Sequence, residues 1–598
     1  MSTNTNIESS LVTLNIKVGG KEIPDVLDVK AVEVQKGVNR ISTAKIIIID
    51  GNSSAGEFSA SSSADFVPGN EVTIEAGYDS KSELLFKGII TKQNIKIQGN
   101  VGALLEVECR DPSIKMVVGR KSLTFDKKKD SDIIKSIIGT YSGLTASVTA
   151  TTTQWPEQVQ YYTSDWDFIL SRAEANGMVV TTLNGEVAVF PPDKNTKPVL
   201  EIEYGNNLLE FNADLNSINQ LGSVKASSWD FKTQNVIDGK SNSSLKGPGN
   251  LSTKKLSEVV GLKEYELQTT GPLPKADLTN WAKAALVKSE YAKIQGEVKF
   301  QGSSLVDPGK YITLEGLGDR FNGDHFISGV THSISDGNWT TETSLGLSTI
   351  WFTEEPEVMA PPASGLLPGV QGIFNGTVKK MYEDPDNQFR ILVDVPLFDL
   401  KGEGIWARLA NFYATSNAGA FFLPEVGDEV VVGFLNEDPR YPVILGSLYS
   451  STKNKPFKGL TPDKKNSKKA IVSKAGIFIE FDDENKIFTI NTPSKNQAIF
   501  SDKDKKVTIK DQNGNSVEMS PNGITIKSPK NITVQSSQKL TLKGNTGVDI
   551  QSSGGDVNIK GLNINNKANV KFSANGSAQA ELKGGAQTTI KGAMVMIN

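Results

Sequence analysis

From Ile524 onward the hydrophobic positions fall into a repeat of eight. Paired aliphatics stand at Ile524/Ile526, Ile532/Val534, Leu540/Leu542 and Val548/Ile550, and the register slips by one at Val557/Ile559. An apolar–polar–apolar triplet has the two-residue period of a strand, so both aliphatics of a pair face one side. Between pairs, Ser528-Pro529-Lys530-Asn531, Gly544-Asn545-Thr546-Gly547 and Ser552-Ser553-Gly554-Gly555 turn the chain. Self-similarity at a fixed period marks a solenoid, but a single-chain repeat uses about 20 or more residues per unit. Eight residues cannot enclose a core, whereas three chains giving one rung each supply about 24. The pattern therefore predicts a C-terminal intertwined triple-stranded β-helix, a three-sided prism, over residues 475–598. About twelve rungs at roughly 4.8 Å would make a rod of roughly 55–60 Å. A single-chain β-solenoid or a run of hairpins is the alternative.

Upstream, period-two patterns dominate. Val12–Val18, Val72–Ala76 and Leu104–Val107 alternate as strands, and the Ser-rich stretch 52–64 reads as a surface loop. Three helices are expected among them. Ser131–Gly139 puts Ile133, Ile134, Ile137 and Ile138 on one face. Ser164–Gly177 has a capping Ser164, an apolar face of Trp166, Ile169, Leu170 and Ala173, and a glycine stop. Leu278–Tyr291 turns Trp281, Ala285 and Leu286 inward. A proline-rich joint, residues 355–362, disfavours helix and ladder alike and marks a boundary. About five short strands follow in residues 370–450, which suits a small OB-type barrel. Residues 451–474 hold eight lysines against one acidic residue, Asp463, and read as a solvated linker. The expected fold is mainly β with minor α: hub domains, β-barrel-like with a few helices, in 1–356, a Pro-rich linker in 357–369, the barrel in 370–450, a Lys-rich linker in 451–474, and the needle in 475–598.

Composition narrows the function. The chain has 598 residues, 37% of them hydrophobic and 22% charged, with a net charge of −4. Nothing global attracts nucleic acid or an anionic membrane. Cys109 is the only cysteine, so no intrachain disulfide forms, which suits assembly in bacterial cytoplasm. Met1–Ser10 is polar and unlike a signal peptide, and the longest aliphatic run, Ile46–Ile49, is too short to span a bilayer. Export, or a place in an extracellular particle, would then need another route.

Two segments carry a resemblance. Phe422-Leu423-Pro424-Glu425-Val426-Gly427-Asp428-Glu429-Val430-Val431-Val432-Gly433-Phe434, followed by Asp438-Pro439-Arg440-Tyr441-Pro442-Val443-Ile444-Leu445-Gly446-Ser447, resembles the barrel of VgrG spike proteins and phage baseplate hub–spikes. Ser164–Leu170 with Asn176-Gly177-Met178 resembles a hub helix of the same family. The order hub, barrel, octad prism matches it across essentially the whole chain. The resemblance implies a homotrimeric spike–hub of a contractile injection apparatus, either a type VI secretion system or a phage-tail-like particle. It implies a hexameric tail tube protein and baseplate proteins as partners, a PAAR-type tip protein, and transient contact with a target membrane during puncture. No lysozyme-like domain separates barrel from prism and no effector domain follows it, so effector cargo is expected on separate chains.

Candidate chemistry is sparse. His325 and His332 are seven apart, without the spacing of a two-His zinc motif, and read as surface or hydrogen-bonded structural residues. Cys109 sits in a strand and reads as structural. The pairs Asp165/Asp167, Asp384/Asp386 and Asp482/Asp483 suit caps and turns better than a glycosidase cleft. No catalytic residue, cofactor site or metal site is assigned, and the chain is expected not to be an enzyme. The rivals are a spike-borne peptidoglycan hydrolase and a trimeric receptor-binding fibre; Phe572 as the sole aromatic after Phe500 speaks against the fibre. The most suggestive surface is the end, Ala593, Met594, Val595, Met596, Ile597 and Asn598, which is apolar up to Ile597 where chain ends are usually polar. Those side chains either fill the last prism layer or form a platform for a tip protein, and the platform is the reading taken here.

Overall fold

The computed structural model describes residues 11–99, 102–193, 195–355, 358–396, 398, 402–458, 460 and 462–597. The polar start Met1–Ser10, two residues of the proline-rich joint and Asn598 lie outside them. The chain divides into two compact units, Met1–Ser447 and Leu448–Asn598.

The first unit is built on a 13-stranded sheet. Val29–Gly37, Thr43–Ile49, Gly102–Arg110, Lys81–Gln98 and Glu71–Tyr78 run antiparallel in that order, and Val12–Val18 pairs with the last of them. The sheet continues on its other side because Gly323–Ser335 pairs with Val29–Gly37. Alternation explains the pleat. In Thr43–Ile49, Ala44, Ile46 and Ile48 point inward while Lys45 and Ile47 do not. They join Phe66, Phe86, Leu105, Val107 and Cys109 in one core; Val298, Phe300, Ile312, Leu314 and Ile327 fill a second. Lys36 Nζ reaches Asp307 at 2.8 Å with its side chain almost wholly buried, tying the end of Val29–Gly37 to a loop 271 residues on.

Among the described residues four α-helices stand with these strands: α1 (Asp130–Ile138), α2 (Asp165–Ala175), α3 (Thr253–Val260) and α4 (Lys275–Tyr291). The isoleucines of α1 pack with Trp166, Phe168, Ile169 and Leu170 of α2. Ser164 Oγ accepts from Asp167 N at 3.0 Å, the expected cap, and Gly177 takes φ 67° after the helix. Helix α4 begins one turn before the expected Leu278, because Pro274 sits well at a helix start. Helix α3 was not foreseen; its eight residues carry few apolar positions, although Ser252 caps it and Gly261 ends it at φ 73°.

Residues 374–447 close into a five-stranded barrel in the order Phe374–Lys380, Ile391–Asp394, Ile405–Leu409, Pro442–Ser447, Glu429–Phe434. All five strands lie within residues 370–450, where about five were expected. Val378, Ile391, Val393, Ala407, Val430, Val432 and Ile444 make its core.

The second unit changes character partway. Lys468–Val472, Phe478–Asp482, Ile487–Asn491, Gln497–Ser501, Lys506–Lys510, Ser516–Ser520 and Gly523–Lys527 form a seven-stranded antiparallel meander, each strand hydrogen-bonded to the next. The first of these lies inside the stretch read as a lysine-rich linker. The strands recur about every ten residues here, because a five-residue strand plus a tight turn lets the chain pair with itself. From Ser528 to Ile597, where the period is eight, no strand is assigned.

Candidate functional site

The barrel motif is a structural staple. Pro424–Asp428 turns with Asp428 N donating to Glu425 O at 3.0 Å and Asp428 Oδ2 accepting from Glu425 N at 2.8 Å. Gly427 supplies φ 92°, and its N–H donates to Val378 O across the barrel at 2.8 Å. The second turn is held by Asp438, whose carboxylate takes the Arg440 guanidinium at 2.7 and 3.0 Å and the Arg440 N–H at 2.9 Å. The hydrogen bonds from Arg440 hold the Asp438 carboxyl below its usual range. Both acids are committed to turns, so the conspicuous motif stabilises geometry and does not gather a reactive cluster. Beside it, the short hairpin Ala414–Thr415/Ala418–Gly419 leaves Phe412, Tyr413, Phe421 and Phe422 exposed.

The titratable candidates are likewise engaged. Asp165 accepts from Lys121 Nζ and Tyr141 Oη, each at 2.6 Å, and from Gln160 Nε2 at 2.9 Å. Burial pushes its pKa up, but those three donors outweigh it and the net shift is downward. Asp384 accepts from Arg390 Nε at 3.0 Å and from the backbone of Asp386, Gln388 and Arg390, and the pair with Arg390 carries it well below the carboxylate range. Asp482 binds Asn485 N at 3.0 Å in its turn. Cys109 is fully buried and burial pushes its thiol up to about 12, so it stays protonated.

His325 and His332 are both buried, which corrects the surface alternative and keeps the hydrogen-bonded one. His325 Nε2 pairs with Phe321 O at 2.6 Å, and His332 Nδ1 with Thr341 Oγ1 at 2.9 Å. Burial drives His325 down to about 4 and His332 down to about 3, with the Lys36 cation adding to the second shift. They face different surroundings and do not converge on a common point; among the described residues no group of three or more His, Cys, Asp or Glu is arranged to hold a metal ion.

At the chain's end, Met594, Val595, Met596 and Ile597 are exposed, the last by 88%, and Ala593 is exposed with them; Asn598 lies outside the described residues. This exposure is continuous with the repeat above it. Ile524, Ile526, Ile532, Val534, Leu540, Leu542, Val548, Ile550, Val557 and Ile559 each show half or more of their surface. A single chain buries none of the pattern that defines the segment.

Residues 374–449 match the type VI secretion system/phage-baseplate injector OB domain, which covers the closed barrel. Curated proteins similar to part of the chain include spike proteins. The type VI secretion system spike protein VgrG3 of Vibrio cholerae is 44% identical over 52 residues, 9% of this chain and 5% of that protein. The spike protein VgrG1a of Pseudomonas aeruginosa is 31% identical over 78 residues, 13% of this chain and 12% of that protein. The chain thus spans only a small part of the curated relatives it matches. An Escherichia coli type VI secretion component, c3393, covers 72% of this chain and 99% of its own at 13% identity, with a TM-score of 0.38. The barrel is therefore of the type VI secretion system/phage-baseplate injector class, as its motif suggested. Residues 8–336, more than half of the chain, match the Alg8 N-terminal domain, and the chain belongs to that family.

Proposed function

We propose that this protein is the spike–hub of a contractile injection apparatus and works as a homotrimer. In this reading residues 1–356 form the hub that meets the tail tube and baseplate, and 370–450 the barrel collar. Residues from 475 to the end form the needle, capped by a tip protein of the PAAR type on Ala593–Asn598. The work is mechanical: it transmits force through a target envelope and carries effectors made on separate chains, without catalysis of its own. It is assembled in the bacterial cytoplasm and leaves with the apparatus.

One observation carries the reading. The aliphatics of the eight-residue repeat are exposed in a single chain, Ile524 by 70% and Val534 by 68%. A contiguous apolar face of this length is not left in water by a stable monomer. Three such chains wound together would bury it and pair every rung between chains, closing the structure so that no lateral strand edge remains. The exposed aromatics of the barrel hairpin would be covered in the same assembly.

The test is native mass measurement or analytical ultracentrifugation of the full chain. Three copies per particle are expected. A compact monomer at micromolar concentration would refute the proposal.

A further inference from the structure

Lys293 follows the end of α4 and is 1% exposed. Its ammonium donates to Lys246 O at 2.9 Å, to Leu251 O at 3.0 Å, and to Pro248 O. An ammonium has three donors, and here all three go to the backbone of one loop. No carboxylate pairs with it among the described residues. Burial pushes Lys293 down to about 8, with Glu290 acting against the shift and Lys246 adding to it, so it keeps its proton at neutral pH.

Three residues earlier, Glu290 grips the same loop by its opposite polarity. Its Oε1 accepts from Ser243 Oγ at 2.6 Å and from the N–H groups of Ser244 and Leu245, each at 3.0 Å. The loop then passes Gly247 and Gly249, both at positive φ, and enters α3 through the Ser252 cap. Helix α3 has thin anchorage of its own: Leu256 is its one buried large side chain, while Val259 and Val260 face out. Beneath the loop is a cavity of about 440 Å³, walled on the far side by Tyr291, Tyr311, His325 and Phe326.

We propose that residues 243–262 are a strap over this cavity and that Lys293 is its catch: the ammonium, tied to three loop carbonyls, holds the strap and α3 down. A cation is suited to this because carbonyls from a turn with two left-handed glycines converge on a point, and a neutral side chain there would leave them without donors. Releasing the catch opens the cavity and frees α3, while the sheets on either side keep their own cores.

Hydrogen exchange on the full chain tests this. Lys293→Ala should speed exchange of the amides of Leu245, Gly249, Asn250 and α3 by at least about tenfold, and leave the strands Val29–Gly37 and Thr43–Ile49 unchanged. Propylammonium, which replaces the deleted chain and charge, should restore protection in a saturable way; propanol, of like shape and no charge, should not. Unchanged protection in Lys293→Ala, or equal rescue by propanol, would overturn the proposal. Should that variant fail to fold, the unsubstituted chain still decides. Acylation of the Lys293 amine by acetic anhydride and exchange of the strap amides must then report the same opening equilibrium, and different equilibria would refute the catch.

Discussion

The two buried histidines make this protein acid-sensitive in a window where little else titrates. The chain contains only His325 and His332, and burial holds them near 4 and 3 in the fold. Unfolded, each would take up its proton near pH 6.5. A base with a depressed folded pKa binds more protons in the unfolded state, so stability is full above about pH 6.5 and falls as acid is added. Integrating the linkage from about pH 6.5 to about pH 5 gives about 1.6 kcal/mol per histidine, or about 3 kcal/mol together. The affected cores are those of the long sheet, since both residues lie on the strand Gly323–Ser335. Urea unfolding followed by tryptophan fluorescence at the two pH values measures the loss, and a chain carrying His325→Gln and His332→Gln provides the comparison. Asp277, whose carboxyl burial pushes up, acts in the opposite sense, but it is present in both chains and cancels. The double variant should start less stable and lose almost nothing over this window. Equal losses in the two chains, or an uptake on unfolding well short of two protons near pH 5, would refute the argument.

Three further outcomes follow from packing. Ser164→Ala removes the Oγ that accepts Asp167 N at the start of α2 and should cost about 1 kcal/mol in urea unfolding, with the helix retained. Val432→Ala takes two methyls from the fully buried barrel core and should cost about 2 kcal/mol, read as a shift of the barrel's own exchange protection. Deleting Met594 to Asn598 should leave a particle of unchanged copy number that no longer retains a tip protein of the PAAR type in pull-down; retention after that deletion would place the dock elsewhere.

The barrel was legible as about five strands in residues 370–450 because apolar and polar positions alternate along them, and because Pro424, Gly427 and Asp438 announce its turns. The helices were legible where the sequence carried one strong signal: a stride of isoleucines in α1, and the Ser164 cap with the glycine stop in α2. Helix α3 escaped because Leu256 is nearly its only buried apolar side chain, so no period could rise above the polar residues around it. The histidines were half legible. Their spacing excluded a two-His helical motif, but burial depends on strands far apart in sequence: Thr341 partners His332, and Val29–Gly37 pairs beside it. The Lys293 catch was invisible for the same reason, since its three acceptors are backbone atoms of Lys246, Pro248 and Leu251, which side-chain patterns do not encode.

The change of period within the last 130 residues joins sequence to assembly. Up to Lys527 a rung is five residues and its turn four or five, two before the last strand, so the chain folds back and meets its own neighbour. Each strand there finds donors and acceptors without help, and a sheet results from one polypeptide. Beyond Ser528 the rung shrinks to a triplet with two aliphatics on one side. A strand that short gains too few ladder bonds from one neighbour to repay its ordering, and two side chains cannot shield each other from water. The same apolar pairs become sufficient once three of them face a common axis, because each rung then closes a layer. In the proposed trimer the repeat would thus set its own stoichiometry through what one chain leaves undone. A charge placed at a single rung, Leu542→Asp, would enter the axis three times per particle and should prevent assembly, whereas Thr541→Asp, on the opposite face of the same rung, should be tolerated. Native mass of the two variants distinguishes them, and equal tolerance would mean that the aliphatic face of the repeat is not turned inward.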